Sequence, residues 1–293
     1  MKSVISIDLG ATNLRVGIVY EDLSLGRVYR EATSKDDPLV LYAQIKRLLA
    51  KVLDEDLKEK PTFVGVSACG IVHDDLIEIL PNLHIAAFDL KRHIEEDFPE
   101  LTVTVANDAN AAGFMEATHG AATEARTSYF ITVSSGIGGV LVYDRKLVDL
   151  PFEIGHNFIK FRNKFYEMEK LLSGNGLCNL AKLLGLEIKD AQELFALKKQ
   201  EDPKALKVYD EWIQYLATVL ANIQLNYNPD LIVLSGGVMK SAGVFQDDLV
   251  TIANAFIAPF PVKKVRVSQA KFDQDAGLMG GAGLALRLLE EVQ

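Results

Sequence analysis

Three short segments of this 293-residue chain place residue types that handle phosphate and protons at the ends of apolar, strand-like runs. The first is Asp8-Leu9-Gly10-Ala11-Thr12-Asn13-Leu14-Arg15. A carboxylate at a strand end, Asp8, is placed to hold a hydrated Mg²⁺. Gly10 lets the backbone approach an anion closely, and the Thr12 hydroxyl with the neighbouring amides, Asn13 included, can donate to phosphate oxygens. The same residues also make an ordinary hairpin turn. The second segment, Ser134-Ser135-Gly136-Ile137-Gly138-Gly139, has two hydroxyls and three glycines and suits a second phosphate cradle. It is not G-x-G-x-x-G, and a strand-like run follows it, which disfavours a dinucleotide site. The third, Val105-Ala106-Asn107-Asp108-Ala109-Asn110, ends a strand at a carboxylate. Asp108 reads either as a general base facing a hydroxyl or as the N-cap of the helix that follows.

Weaker signals accompany these. Glu153-Ile154-Gly155-His156 offers paired polar ligands to a substrate, or His156 as one ligand of a zinc ion. No cysteine lies near His156 and Cys178 alone cannot complete a tetrahedral set, so a zinc site is not expected. Gly65-Val66-Ser67-Ala68-Cys69 comes within one residue of the hydrolase elbow G-x-S-x-G but lacks its second glycine. Cys69 and Cys178 read as inert buried thiols rather than nucleophiles.

The elements that must hold these segments follow from periodicity. Residues 3–8 and Leu14–Tyr20 read as a hairpin around the first turn, extended by Arg27–Thr33. Residues 37–53 place Leu41, Ile45, Leu48, Leu49 and Val52 at helical spacing behind Pro38. Strands are expected at Thr62–Ala68 and Leu101–Ala106, with helices at Leu90–Phe98 and 109–118. Strand, tight turn and strand then return at Tyr129–Val133 and Val140–Tyr143. This is either an internal repeat of the first hairpin or two unrelated hairpins. Helices are expected over Tyr166–Gly185, Ala191–Lys199 and Ala205–Asn226. A strand over Asp230–Leu234 runs into Ser235-Gly236-Gly237; an edge strand over Val265–Val267 and a helix over Gly277–Val292 complete the chain.

Composition limits the function classes. An apolar fraction of 49% excludes disorder, and the length allows a large core. No stretch approaches the roughly 20 apolar residues of a membrane span. The first apolar run meets Asp8, against a secretory signal. A net charge of −9 with no basic run argues against nucleic acid. Two cysteines are too few for a disulfide framework. A cytoplasmic protein is expected, with neither a nucleic-acid nor a membrane partner.

In order along the chain, DLGATNLR, Pro81-Asn82, NDANAA, SSGIGG, EIGH, Glu169-x-x-x-Ser173-Gly174 and LSGGV resemble the motifs of the ROK family of sugar kinases, in the superfamily that also holds actin and hexokinase. Each motif is short, but their order and spacing over nearly the whole chain are specific. The resemblance implies an α/β fold of two ribonuclease-H-like (actin-like ATPase) domains with a central cleft where ATP and sugar meet. The first domain would comprise 1–116 with 278–293, the second 117–277. Asp108 would be the catalytic base for the sugar hydroxyl. Asn82, Asn107, Glu153, His156 and Glu169 match positions that bind sugar hydroxyls, together with Asp108. Gly10, Thr12, Asn13, Ser135 and Gly136 match the phosphate turns, Asp8 the Mg²⁺-water contact, and Gly236 and Gly237 the adenosine side. Closure would need backbone rotation, for which Gly113, Gly120, Gly277, Gly280 and Gly281 are available, unless close helix packing explains them.

The implied activity is ATP-dependent transfer of the γ-phosphoryl group to a hexose hydroxyl, with C6 expected, ATP and Mg²⁺ as cofactors, and no zinc. Glucose is the first choice of sugar; N-acetylmannosamine is the alternative, with other hexoses and β-glucosides behind. A catalytically silent sugar sensor is the alternative of another class, against which the intact Asp108 weighs. Family repressors carry an N-terminal DNA-binding module; with Asp8 only eight residues into this sequence, an enzyme is expected instead. A homodimer is open. Three departures stand out. Ala11 replaces a usual glycine, Ser134-Ser135 replaces Gly-Thr, and the element C-x-C-G-x-x-G-C is replaced by NFIKFRNKFYEMEKLLSG.

Overall fold

The computed structural model describes residues 2–57, 59–148, 150 and 153–292. The chain divides into two compact units, Met1–His119 with Gln274–Gln293, and Gly120–Asp273.

The first unit is built on strands β1 (Ser3–Leu9), β2 (Asn13–Tyr20) and β3 (Leu25–Ala32), helix α1 (Pro38–Leu53) and strand β4 (Phe63–Ala68). A short antiparallel sheet follows, of β5 (Ile71–His73), β6 (Leu76–Leu80) and β7 (Ile85–Phe88). Next come α2 (Leu90–Asp97), β8 (Thr102–Asn107) and α3 (Asp108–His119), and the C-terminal helix (Ala276–Glu291) returns to this unit. The main sheet has the order β3-β2-β1-β4-β8. β1–β2–β3 is an antiparallel meander, whereas β1, β4 and β8 run parallel. β1 and β4 are buried almost end to end, which is why they read as continuous apolar runs rather than alternating ones.

Helix α1 starts where the Asp37 carboxylate accepts from the Leu39 and Val40 amides, with Pro38 needing no partner for its nitrogen. Leu41, Ile45, Leu48, Leu49 and Val52 form its fully buried stripe against the sheet. The C-terminal helix uses small residues instead. A Cβ on Gly65 would lie 1.8 Å from the Gly281 carbonyl oxygen, and one on Gly280 would lie 2.8 Å from the Ala111 carbonyl carbon. Gly280 and Gly281 therefore serve close packing of this helix against β4 and α3.

The second unit holds β9 (Thr127–Val133), β10 (Ile137–Tyr143), β11 (Lys146–Leu147), the hairpin β12 (Phe158–Phe161) and β13 (Lys164–Glu167), helices α4 (Glu169–Leu172), α5 (Gly174–Leu183), α6 (Ala191–Lys199) and α7 (Pro203–Tyr227), then β14 (Leu231–Ser235), α8 (Gln246–Ile257) and β15 (Val267–Gln269). Its main sheet runs β11-β10-β9-β14-β15, again an antiparallel meander joined to parallel strands. The two sheets thus share one strand order, and the returning hairpin is part of a repeated topology. The core of this unit centres on Trp212, whose ring meets Phe245 edge-on at 5.0 Å while its Nε1 donates to the Leu172 carbonyl at 3.1 Å.

Three expected elements are corrected. Tyr166 lies in a strand, because Phe158–Phe161 and Lys164–Glu167 pair across Arg162, whose φ of 53° turns the chain without a glycine. The helix expected over 166–185 is also interrupted at Ser173, whose hydroxyl accepts from the Gly176 amide and starts α5 afresh. The edge strand begins at Val267 rather than Val265, since the Asn254 side chain occupies both the amide and the carbonyl of Val265.

Candidate active site

In the first unit, the C-terminal ends of β1, β4 and β8 lie level, with Asp8 opposite Ser67 and Ala68 opposite Asn107. Asp8 enters the next strand's register directly across from Arg15. Arg15 donates through Nε and Nη2 to Asp8 Oδ2, both at 2.7 Å, and through Nη1 to Asp275 Oδ1 at 2.7 Å. Burial pushes the Asp8 carboxyl up, against the lowering pull of Arg15. Its other oxygen, Oδ1, faces Gly277, where a Cβ would approach to 2.2 Å; only glycine lets the helix backbone start against this carboxylate.

The turn between β1 and β2 is tight and braced. The Gly10 amide donates to the Asn13 carbonyl at 3.1 Å, and Thr33 reaches across with its hydroxyl to Gly10 O at 2.7 Å and its amide to Thr12 O at 3.1 Å. The Asn13 side chain accepts from Arg30 Nε at 3.0 Å. Thr12 is exposed at the tip. Gly10 is needed for closeness, since a Cβ would stand 3.0 Å from Asn13 O.

At the end of β8 the two readings of Asp108 separate. Asn107 is the helix cap: its Oδ1 accepts from the Ala109 amide at 2.9 Å, and its Nδ2 donates to Gly70 O at 2.8 Å. Asp108 is instead the first helical residue, its Oδ1 accepting from the Ala109 amide at 2.8 Å. The Asp108 side chain is exposed by surface area, yet protein atoms crowd its carboxyl. That loss of hydration raises its pKa to about 6; the Asp8 charge adds to the rise, and the Ala109 amide and Asn107 side chain oppose it. A carboxylate tuned upward at a strand end can take a proton from a hydroxyl near neutral pH.

Asn82 is exposed on the helical turn Pro81–Leu83 between β6 and β7. The remaining sequence signals of this unit lose their chemistry. Ser67 is fully buried inside β4 and offers no nucleophile. Burial, then the Asp108 charge, pushes the Cys69 thiol up to about 12, so it stays protonated at neutral pH. Cys69 and Cys178 are both free.

In the second unit, Ser134 and Ser135 are exposed at the β9–β10 turn, closed by the Ser134 amide on Gly136 O at 2.9 Å. Two neighbours support this turn. The Gly174 amide donates to Ser134 O at 2.7 Å, and a Cβ on Gly136 would stand 2.8 Å from Glu169 Oε2. Glu169 also pairs with Lys170 at 2.9 Å. The structure brings Glu169 together with His156 and Glu167, whose ligand atoms lie within 4.8 Å of one another, His156 Nδ1 being 3.3 Å from Glu167 Oε2. Glu153, whose carbonyl accepts from the His156 amide at 3.1 Å, lines a cavity of about 580 Å³ with Asn157, Met168, Tyr215 and Tyr227.

Gly236 adopts φ +100°, and a Cβ there would lie 2.4 Å from Val133 O, so the Ser235-Gly236-Gly237 loop is pressed against the strand that leads into Ser134. Asp273 fixes it, one oxygen accepting from both Ser235 Oγ at 2.8 Å and the Gly236 amide at 2.9 Å.

Sequence reasoning left Arg15, Glu167 and Asp273 without roles. Arg15 was within reach, because a turn closed by Leu9 and Leu14 puts Arg15 opposite Asp8. Asp273 acts across a distant segment, on Ser235 and Gly236, and Glu167 meets His156 only through the β12–β13 hairpin, so neither carries a local signal.

Comparison with known proteins bears on the chain as a whole. The model of the ROK family matches residues 4–288. The N-acetylmannosamine kinase of Citrobacter koseri is 30% identical, over 97% of this chain and 98% of that protein. The glucokinase of Halalkalibacterium halodurans is 26% identical, over 96% and 94%. The crystal structure of a ROK family glucokinase from Streptomyces griseus in complex with glucose and AMPPNP superimposes with a TM-score of 0.76 at 23% identity, covering 97% of this chain and 99% of that one. The fold is that of the actin-like ATPases. With its motifs in family order and the family model spanning all but the chain's ends, this chain belongs to the ROK family of sugar kinases.

Proposed function

We propose that the chain transfers the γ-phosphoryl group of ATP to a hydroxyl of a hexose or N-acyl hexosamine, with the C6 hydroxyl as acceptor. The observation that carries this reading is Asp108: a carboxylate at the end of β8, raised to about 6, with its own amide neighbours and the Asn107 cap fixing its place. Such a group is ionised at neutral pH and basic enough to accept the hydroxyl proton as the oxygen attacks phosphorus.

The other residues take roles in the same reading. Gly10, Thr12 and Asn13 in the first unit, and Ser135 and Gly136 in the second, cradle phosphate oxygens; Gly236 and Gly237 lie on the adenosine side. The exposed Thr12 and Ser135 hydroxyls and the tight turns that carry them fit that task. Asp8 fits a hydrated Mg²⁺, because Arg15 occupies only Oδ2. Bound Mg²⁺ would offset the charge of the transferring phosphates. Asn82, Asn107, Glu153, His156 and Glu169 are assigned to sugar hydroxyls. Positioning and charge stabilisation supply most of the acceleration in such a reaction, with the base adding roughly 10²–10⁴-fold.

Glucose stands first from the sequence with N-acetylmannosamine as the alternative, and the glucokinase and N-acetylmannosamine kinase among the relatives support keeping both. The two present nearly the same hydroxyl edge and differ at C2. An ADP-release assay with ATP and Mg²⁺, run over glucose, mannose, fructose, allose, N-acetylmannosamine and a β-glucoside, tests the reading. Sugar-dependent ADP release with at least one of them is the expected result. Release independent of every sugar, or none at all, contradicts it, and no release at all favours a silent sugar-binding protein.

A further inference from the structure

β8 is the edge strand of its sheet, so the amides on its outer side have no neighbouring strand to receive them. Two carboxylates stand in for one. Glu95 on α2 accepts from the Val103 amide at 2.9 Å, and Asp75 accepts from the Val105 amide at 2.7 Å. Asp75 comes from elsewhere in the fold than Glu95. It is the second residue of the two-residue turn joining β5 and β6, where Asp74 and Asp75 both take left-handed φ values, 48° and 62°. That pair of positive angles suits a tight hairpin and is tolerated by aspartate at some conformational penalty.

Each oxygen of Asp75 has a partner. Oδ1 accepts from the Val105 amide and from Thr104 Oγ1 at 3.0 Å; Oδ2 takes Lys91 Nζ at 2.6 Å. Against the raising effect of burial, Lys91 and the Val105 amide hold the Asp75 carboxyl below its ordinary value, so it is ionised throughout the neutral range. The same hairpin is tied to β8 at its other end, where Asn107 Nδ2 donates to Gly70 O. The sheet that carries Asn82 is therefore fastened to the strand that leads into Asp108 at two points, one beyond each end of β5.

We infer that Asp75 is a positioning residue for sugar phosphorylation: by holding the β5–β6 hairpin on β8 it sets Asn82 and Asp108 at one fixed separation. This rests on the proposed role of both residues in sugar binding. Asp75 touches no reacting atom; its effect passes through the Val105 amide and the Asn82-bearing sheet. Glu95 supplies a matched control, since it caps the same edge strand from α2 without a hydrogen bond to that hairpin.

The test compares Asp75→Ala, Asp75→Asn and Glu95→Ala in the full chain. Asp75→Ala is expected to raise the sugar KM about tenfold with the ATP KM nearly unchanged, because only the sugar side depends on the spacing. Asp75→Asn keeps a carbonyl oxygen for Val105 and is expected to restore most of the wild-type sugar KM. Glu95→Ala is expected to lower Tm as much as Asp75→Ala and leave the sugar KM unchanged. In parallel, amide hydrogen exchange in segments 77–84 and 105–112 should quicken together in Asp75→Ala and not in Glu95→Ala. Equal sugar KM values in Asp75→Ala and Glu95→Ala, or exchange in the two segments that stays as in the wild type, would overturn the assignment. If the wild-type chain transfers phosphate to no sugar, the kinase reading fails, and the exchange comparison still decides the place of Asp75.

Discussion

Asn107 caps the helix that Asp108 begins, and the two side chains share one donor, the Ala109 amide, at 2.9 Å to Asn107 Oδ1 and 2.8 Å to Asp108 Oδ1. Asn107 Oδ1 takes the Ala109 amide, its Nδ2 reaches Gly70, and the amide also lies against Asp108. An aspartate used as an N-cap would be drawn down into the carboxylate range of a stabilised anion. Placed one residue further, Asp108 is raised instead, because the crowding of its carboxyl outweighs the lowering pull of the Ala109 amide.

Replacing that carboxylate by its amide should separate binding from turnover. Asp108→Asn is expected to keep sugar binding and to lower kcat by roughly 10²-fold or more, the loss belonging to the transition state alone. Steady-state kinetics with the preferred sugar, beside calorimetric titration of the same sugar, measure both; a kcat close to wild type would remove Asp108 from the mechanism.

The pH dependence follows from the same shift. A base raised to about 6 is lost to protonation as pH falls through that value, so log kcat/KM should drop with unit slope below about pH 6 and level off above it. An unperturbed carboxyl would put the break near 4. For stability the sign is opposite: the folded chain holds this proton more tightly than the unfolded chain, so ionising Asp108 weakens folding as pH rises from about 4 to about 6. Asp108→Asn should lose that contribution, and its Tm at pH 7 should be no lower than that of the wild type.

His156, Glu167 and Glu169 come within 4.8 Å of one another, but Lys170 is paired with Glu169 and no cysteine accompanies them. Two carboxylates and one imidazole beside an ammonium make a poor zinc set. The chain purified without chelator is expected to hold less than one zinc per ten molecules by elemental analysis and to need only Mg²⁺ with ATP, a ratio set roughly by the weakness of such a site. One firmly held zinc per chain would contradict this.

Gly65 and Gly281 bring the C-terminal helix onto β4, with a Cβ on Gly65 only 1.8 Å from a backbone oxygen. Backbone on both sides cannot swing aside as a flexible side chain would. Gly65→Ala should lower stability by about 3 kcal/mol or more, read from urea unfolding, whereas Gly243→Ala, where a Cβ would meet nothing, should change it little.

Much of this was legible from residue types. The strand runs around Asp8 and Asn107, the α1 stripe from Leu41 to Val52 and the returning hairpin at Tyr129 all follow from local periodicity, and the turn between β1 and β2 from its small residues. What escaped was set by distant partners. The β5–β7 sheet consists of strands three to five residues long, too short for a periodic signal, and its turn uses Asp74-Asp75 where glycine is the usual marker. The β12–β13 hairpin hid behind helix-compatible residues such as Lys164 and Glu167. Arg15 and Asp75 in the first unit and Asp273 in the second act through hydrogen bonds that only the fold assembles. Asp108 as cap or base could not be decided from sequence, because both roles favour aspartate at a helix start; the Asn107 hydrogen bonds decide where the cap lies.

The most direct measurement is phosphorus NMR of a mixture of the chain, ATP, Mg²⁺ and the sugar that gives the highest ADP release. Wild type should convert the γ-phosphate signal of ATP into a phosphomonoester signal coupled to the sugar's C6 protons, while Asp108→Asn under the same conditions should leave ATP intact over the same period. Appearance of inorganic phosphate without a sugar phosphomonoester, or an equal yield of product from both chains, would contradict the assignment of this site as a sugar kinase built on Asp108.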